Sequence, residues 1–154
     1  MKTRSIILTM AVCLFGWAAM AAESPHMGTW KLNEAKSKIA AGVNKNSTVI
    51  YAAEGDSIKV TTDGVDGKGN PQHTEWTGKF DGKDYPVTGD PMAESRAYTK
   101  VNAHTLSLKN MKGGKVTVSG KVVVSADGKT RTVTVTGTDA AGKKVTSTGV
   151  YDKQ

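Results

Sequence analysis

Short β-prone runs separated by glycine-centred turns follow one another from Met27 to the end of the chain, and this alternation constrains the fold most strongly. Val and Thr dominate the runs, and both favour a pleated backbone because they branch at Cβ. The Asp-Gly and Gly-Gly pairs between the runs supply the positive φ angles that tight hairpins require. The pattern predicts strands at residues 29–32, 48–51, 58–65, 72–80, 85–87, 94–101, 105–111, 115–124, 130–138 and 144–151.

Consecutive hairpins without a long crossover predict an all-β, antiparallel up-and-down meander. A flat sheet of this size would expose two long edges that promote aggregation, and closure removes both. We therefore expect a closed barrel of about eight to ten strands in preference to a sandwich. Residues 33–42 are rich in helix formers, with a cap at Asn33 and a stop at Gly42, so one short helix is expected after the first strand, over one end of the barrel.

Residues 1–22 have the pattern of a secretory signal peptide, which leaves residues 23–154 as one domain. Lys2 and Arg4 precede an apolar run, and an Ala-Met-Ala sequence ends at a cleavage site. An uncleaved anchor is the alternative, but the apolar stretch is short for a bilayer span. Lipidation of Cys13 is disfavoured because a valine precedes it. The sequence thus predicts a periplasmic or secreted protein without a stable membrane anchor after cleavage.

Loss of the signal segment changes the chemistry open to the domain. Cys13 is the only cysteine, so disulfides and thiolate metal sites are excluded from residues 23–154. Without Lys2 and Arg4, 19 basic residues face 14 acidic ones, a net charge of +5. The lysines are scattered singly and form no basic run or aromatic–basic array, so we expect no nucleic-acid partner. The oligomeric state is left open.

Two segments resemble a known superfamily. Gly28–Leu32, with its Gly-x-Trp, resembles the opening strand of the calycins, the lipocalins and fatty-acid-binding proteins, where the Trp seals the closed end of the barrel. Residues 145–151 resemble the last strand of the fatty-acid-binding proteins. The resemblance implies a lipocalin-like exported barrel with an interior pocket for a small hydrophobic or amphipathic molecule.

The chain departs from the fatty-acid-binding pattern at two places. That branch has an Arg two residues before its final-strand Tyr, and the pair holds the ligand carboxylate. Here Gly149 stands at the position of the Arg, so the resemblance carries over only Tyr151 as a ligand-binding residue. The helix-turn-helix portal of that branch also needs more residues than lie between Leu32 and Thr48.

Trp76, Arg96 and Tyr98 are further candidate ligand-binding residues. Trp76 shares a strand face with Phe80, where it lines a pocket or, alternatively, packs in the core. Arg96 and Tyr98 are two residues apart and so share a face, and a guanidinium with a hydroxyl suits a carboxylate or phosphate. If that face is interior, they replace the missing anchor, with Lys100 beside them. The alternative is a solvated face.

Metal binding and catalysis have little support in the sequence. His73 and Glu75 share a face and could supply two metal ligands, but His26 and His104 are distant in sequence and a polar outer face is the simpler interpretation. No Gly-x-Ser-x-Gly, phosphate-binding loop or His-Glu-x-x-His motif occurs. No metal, cofactor or enzymatic activity is therefore expected.

The sequence predicts an exported protein that holds a hydrophobic or amphipathic ligand inside a β-barrel. The alternative is a structural or interaction module of the cell envelope, or an inhibitor-type barrel, that acts through its outer surface without a small ligand. A lumen filled by side chains would argue against the first interpretation.

Overall fold

A computed structural model describes residues 23–139 and 141–154, so the predicted signal segment at residues 1–22 lies outside the described residues. The described chain forms one closed antiparallel barrel of ten strands, which confirms the predicted fold class. The strands are β1 Gly28–Leu32, β2 Lys45–Glu54, β3 Ser57–Val65, β4 Pro71–Gly78, β5 Tyr85–Thr88, β6 Ser95–Asn102, β7 Thr105–Lys112, β8 Lys115–Val124, β9 Thr130–Thr138 and β10 Lys144–Lys153. Within these described residues, no helix has the length and apolar character needed to cross a membrane.

Each strand pairs with its neighbours in sequence, and β1 pairs with β10 to close the barrel. The closing register places Trp30 opposite Lys153 and Leu32 opposite Tyr151. The wall has its fewest paired residues beside the short β5, which shares two residue pairs with β4 and two with β6. The barrel is therefore a continuous sheet that is least extensively paired at β5.

The helix expected over residues 33–42 is a single 3-10 turn, Glu34–Lys36, with Asn33 as its N-cap. After this turn the backbone is extended, and Lys38 forms a β-bridge with Thr148 of β10. The segment thus satisfies its backbone groups against the neighbouring strand instead of within a helix. This tertiary pairing overrides the helix propensity of the segment, which is a weak preference in so short a stretch.

One end of the barrel is plugged by large side chains. Trp30 is fully buried, and its indole Nε1 donates a hydrogen bond to the backbone oxygen of His26 at 3.0 Å. Trp76 stacks on Phe80 with ring centroids 6.5 Å apart. The ring centroids of Trp76 and Tyr98 are 4.9 Å apart, in a T-shaped arrangement. This aromatic cluster closes the end of the barrel at which the described chain begins.

Strict alternation of inward and outward residues along β8 fails at one position. Val118 and Val122 point inward, but Val116, which the same period would place with them, is 53% exposed. A β-bulge shifts the register between Asn110 and Met111 of the partner strand. Because each one-residue shift reverses the face, the side chain of Val116 moves to the outside.

His26 in the plug makes the stability of the barrel pH-dependent. Burial first, and then the charges of Arg131, His104 and Lys100, lower its pKa to about 4. An unfolded histidine titrates near 6.5, so the unfolded state binds more protons between about pH 6.5 and 4. The free energy of unfolding should therefore fall through this window on acidification, with His26 contributing up to roughly 3 kcal/mol.

Urea unfolding of the wild type and of His26→Leu at about pH 7 and about pH 4.5 measures this contribution. The carboxylates titrate in both proteins. The difference between the two proteins in how much the free energy of unfolding changes with pH therefore reports on His26 alone. Equal pH dependence in the two proteins would contradict the prediction.

Candidate functional site

Beyond the plug, the barrel encloses a cavity of about 410 Å³, within the usual range for small-molecule pockets. The cavity extends toward the end of the barrel formed by residues 33–44, the β3–β4 turn and the β5–β6 loop. Its wall carries apolar side chains, including Val49, Leu108, Val118, Val133, Val135 and Val145. Polar side chains lie among them, including Thr62, Thr74, Arg96, Asn110, Arg131 and Tyr151. The lumen thus offers both apolar and polar surface, and its floor is the part next to the plug.

Arg131 lies on the floor, directly opposite Tyr151 in the β9–β10 pair, and is 4% exposed. Its guanidinium carbon is 5.1 Å from the ring centroids of both Tyr51 and Tyr151. Nη2 donates a hydrogen bond of 2.8 Å to the Tyr51 hydroxyl, which in turn donates to the Tyr98 hydroxyl at 3.4 Å. Two aromatic faces and one hydroxyl therefore hold the group in place.

The positive charge of Arg131 has no anionic partner among the described residues. Neither Nε nor Nη1 has a hydrogen-bond acceptor. The guanidinium also takes part in none of the ion pairs formed by the described residues. Burial raises the pKa of Tyr51 and of Tyr151, so neither forms a phenolate near neutral pH. Burial opposes the charged form of Arg131, but a guanidinium is not deprotonated in proteins, so the group keeps its positive charge. The floor is therefore cationic.

The second interior arginine is neutralised. Arg96 is 8% exposed on the inner face of β6, and its Nε donates a 2.8 Å hydrogen bond to the Asn110 side chain. Its Nη2 pairs at 3.4 Å with Asp90 of the β5–β6 loop, whose side chain is 5% exposed. This pair satisfies the requirement that buried charges be matched, which Arg131 does not meet.

Gly149 makes the position of Tyr151 possible. A Cβ at residue 149 would lie 2.9 Å from the Cε2 atom of Tyr151, because the ring folds back over the glycine. The Tyr151 hydroxyl then reaches the backbone oxygen of Asn46 at 3.1 Å. The residue that replaces the expected arginine thus clears the space for the tyrosine ring beside Arg131.

The candidate residues from the sequence fall into two groups. Arg96, Tyr98 and Tyr151 line the cavity, so the face of β6 that carries the first two is interior. Trp76 packs in the plug, donates from Nε1 to the backbone oxygen of Arg96 at 2.9 Å, and is not among the lining residues. Lys100, expected beside them, is exposed. Their part in ligand binding stays a prediction.

Arg131 is the floor residue that the sequence analysis missed. The alternation along β9 places it on the inner face with Val133 and Val135. The sequence signal for an inward arginine was therefore its spacing of two and four residues from these inward valines. Its position opposite Tyr151 depends on the strand register, which the sequence pattern does not provide.

His73 and Glu75 lie on the outer face of β4. His73 Nδ1 is 2.6 Å from Asp63, and Nε2 is 3.6 Å from Glu75, so both ring nitrogens face carboxylates. The hydrogen bond to Asp63 and the contact with Glu75 raise the pKa of His73. Among residues 23–139 and 141–154, no three His, Cys, Asp or Glu side chains are grouped to hold a metal ion. The cluster is an exposed charge network.

No known family model matches the chain, and no similar protein is found among the curated proteins. The closed ten-strand antiparallel barrel is compatible with a calycin-like architecture. The likeness to that superfamily therefore depends on the barrel itself and on the first and last strands.

The two interior arginines should affect stability in opposite directions. Arg131→Met removes an unmatched buried cation, so we expect the free energy of unfolding to rise by about 1 kcal/mol or more. Arg96→Met leaves the Asp90 carboxylate buried without its cation, so we expect a loss of about 3–5 kcal/mol. Urea unfolding of both variants at neutral pH measures the two changes. A comparable loss in both variants would show that Arg131 serves the fold alone.

Proposed function

We propose that this protein is an exported carrier that binds a small amphipathic molecule inside its barrel. The apolar part of the ligand lies among the valines of the cavity wall, and an anionic group lies against Arg131. The observation that carries the proposal is the buried guanidinium of Arg131, which lines the cavity and has two nitrogens without a partner among residues 23–139 and 141–154.

The energetics favour an anionic ligand group. A buried cation without a counter-ion loses several kcal/mol of hydration that the fold does not replace. A carboxylate, sulfate or phosphate at Arg131 would restore this through charge-assisted hydrogen bonds. The Tyr151 and Tyr98 hydroxyl groups line the same cavity. Tyr151 donates to the backbone oxygen of Asn46, whereas Tyr98 accepts from Tyr51 and has its own hydroxyl hydrogen to donate to a ligand. Burial of the apolar chain adds about 25 cal/mol per Å² before the entropic costs of binding.

The arrangement supports a lipocalin-like interpretation of the fold. In the fatty-acid-binding branch the anchoring Arg lies two residues before the final-strand Tyr. In this chain Arg131 instead faces Tyr151 from the adjacent strand, so an Arg–Tyr pair is rebuilt across the β9–β10 ladder. Export to the periplasm or medium, which the proposal includes, is supported by the signal-like pattern of residues 1–22.

Displacement of a fluorescent lipophilic probe by decanoate and by decan-1-ol tests the proposal. The two competitors differ in their head group, so we expect decanoate to bind at least about tenfold more tightly, the size of a buried charge-assisted hydrogen bond. Arg131→Met should remove this preference and retain weak binding of the alcohol. Lys121→Met, which removes an exposed cation from the outer wall, is the matched control and should behave as the wild type.

Equal affinity of the wild type for the acid and the alcohol would contradict the role of Arg131. A folded protein that binds neither compound would overturn the carrier function altogether. The outer-surface alternative, a structural, interaction or inhibitor module, would then be favoured.

A further inference from the structure

The charges around the cavity can be counted residue by residue. Five charged side chains of the described residues line it, and two of these, Asp66 and Lys68, belong to the β3–β4 turn at the rim. The Asp66 carboxylate accepts hydrogen bonds from the backbone of its own turn, at residues 68 and 70. The three that are buried are Asp90, Arg96 and Arg131. Two cations and one anion give the interior a net charge of +1.

The Asp90 carboxylate is held firmly in this arrangement. Besides its pair with Arg96, it accepts a 3.0 Å hydrogen bond from the backbone N–H of Met92. The side-chain amide of Asn44, from the segment on the other side of the mouth, donates to it at 3.5 Å. Asp90 is therefore a fixed negative charge at the cavity wall and is not free to leave when a ligand enters.

We propose, on the basis of the carrier function above, that Asp90 restricts the cavity to ligands with a single negative charge. By matching Arg96, it leaves Arg131 as the one cation for a ligand to neutralise. A second negative charge on the ligand would have no cation of its own and would face the Asp90 carboxylate in a medium of low polarity. Alkyl carboxylates and sulfates fit this requirement, whereas dianionic phosphate monoesters do not.

Three variants change the interior charge by known amounts. Asp90→Asn keeps the shape of the side chain and raises the charge to +2, Arg96→Gln lowers it to zero, and the double variant restores +1. The charge count predicts that Asp90→Asn gains affinity for dianions relative to monoanions. It also predicts that Arg96→Gln binds anions more weakly than the double variant, although the double variant carries more changes and Arg131 is present in both.

Decyl sulfate and decyl phosphate are suitable probes because their head groups share a tetrahedral shape. At about pH 8.5 the sulfate is a monoanion and the phosphate a dianion, since the second phosphate pKa is about 6. Titration calorimetry of the full-length protein, below the micelle concentration of each probe, gives the ratio of the two dissociation constants. We expect the wild type to favour the sulfate, and Asp90→Asn to shift the ratio toward the phosphate by roughly tenfold, the effect of one charge at about 10 Å in a protein interior.

The double variant should again favour the sulfate, as the wild type does, because its interior charge is also +1. This result would separate the effect of charge from a structural effect of the Asp90→Asn substitution. Circular dichroism would reveal whether Asp90→Asn folds. If it does not, the comparison of Arg96→Gln with the double variant tests the same dependence of anion affinity on the interior charge. A ratio that is unchanged in Asp90→Asn, or a double variant that binds no better than Arg96→Gln, would overturn the role of Asp90 and leave the carrier function intact. Failure of the wild type to bind either probe would overturn the carrier function itself.

Discussion

The pairing of β1 with β10 is the contact on which the rest of the molecule depends, because it turns a row of hairpins into a continuous wall. A closed wall leaves no unpaired sheet edge and surrounds a lumen. The neighbouring β9–β10 ladder sets the register that places Tyr151 opposite Arg131. Closure and the cavity thus depend on the β1–β10 pairing, and the cationic floor depends on the β9–β10 register.

Charge is the property that distinguishes this interior from an ordinary barrel core. In the proposed carrier, a lumen lined by valines alone would accept any apolar molecule of suitable size, whereas a buried guanidinium would select for an anionic end. Arg96 is matched by Asp90, whereas Arg131 is matched by no acidic group of the described chain. A buried charge of this kind in a cavity is a candidate functional group.

Much of the fold was predictable from the sequence because its determinants are local. Glycine turns and β-branched runs locate the strands within a few residues, and alternation identifies most inward positions. Features that depend on a partner strand were not predictable. The pairing of Lys38 with Thr148 replaced a helix, a bulge moved Val116 outward, and the β9–β10 register brought Arg131 to the floor. The buried pair of Asp90 with Arg96 joins a loop to a strand interior, and no spacing rule identifies it.

The two ends of the described chain lie together beneath the plug. The backbone N–H of Gln154 donates to the oxygen of Thr29, and Lys153 pairs with Trp30. Any tether or fused domain attached after Gln154 would therefore extend from the plugged end of the barrel. The mouth would point away from that attachment and stay accessible to whatever enters or leaves the lumen.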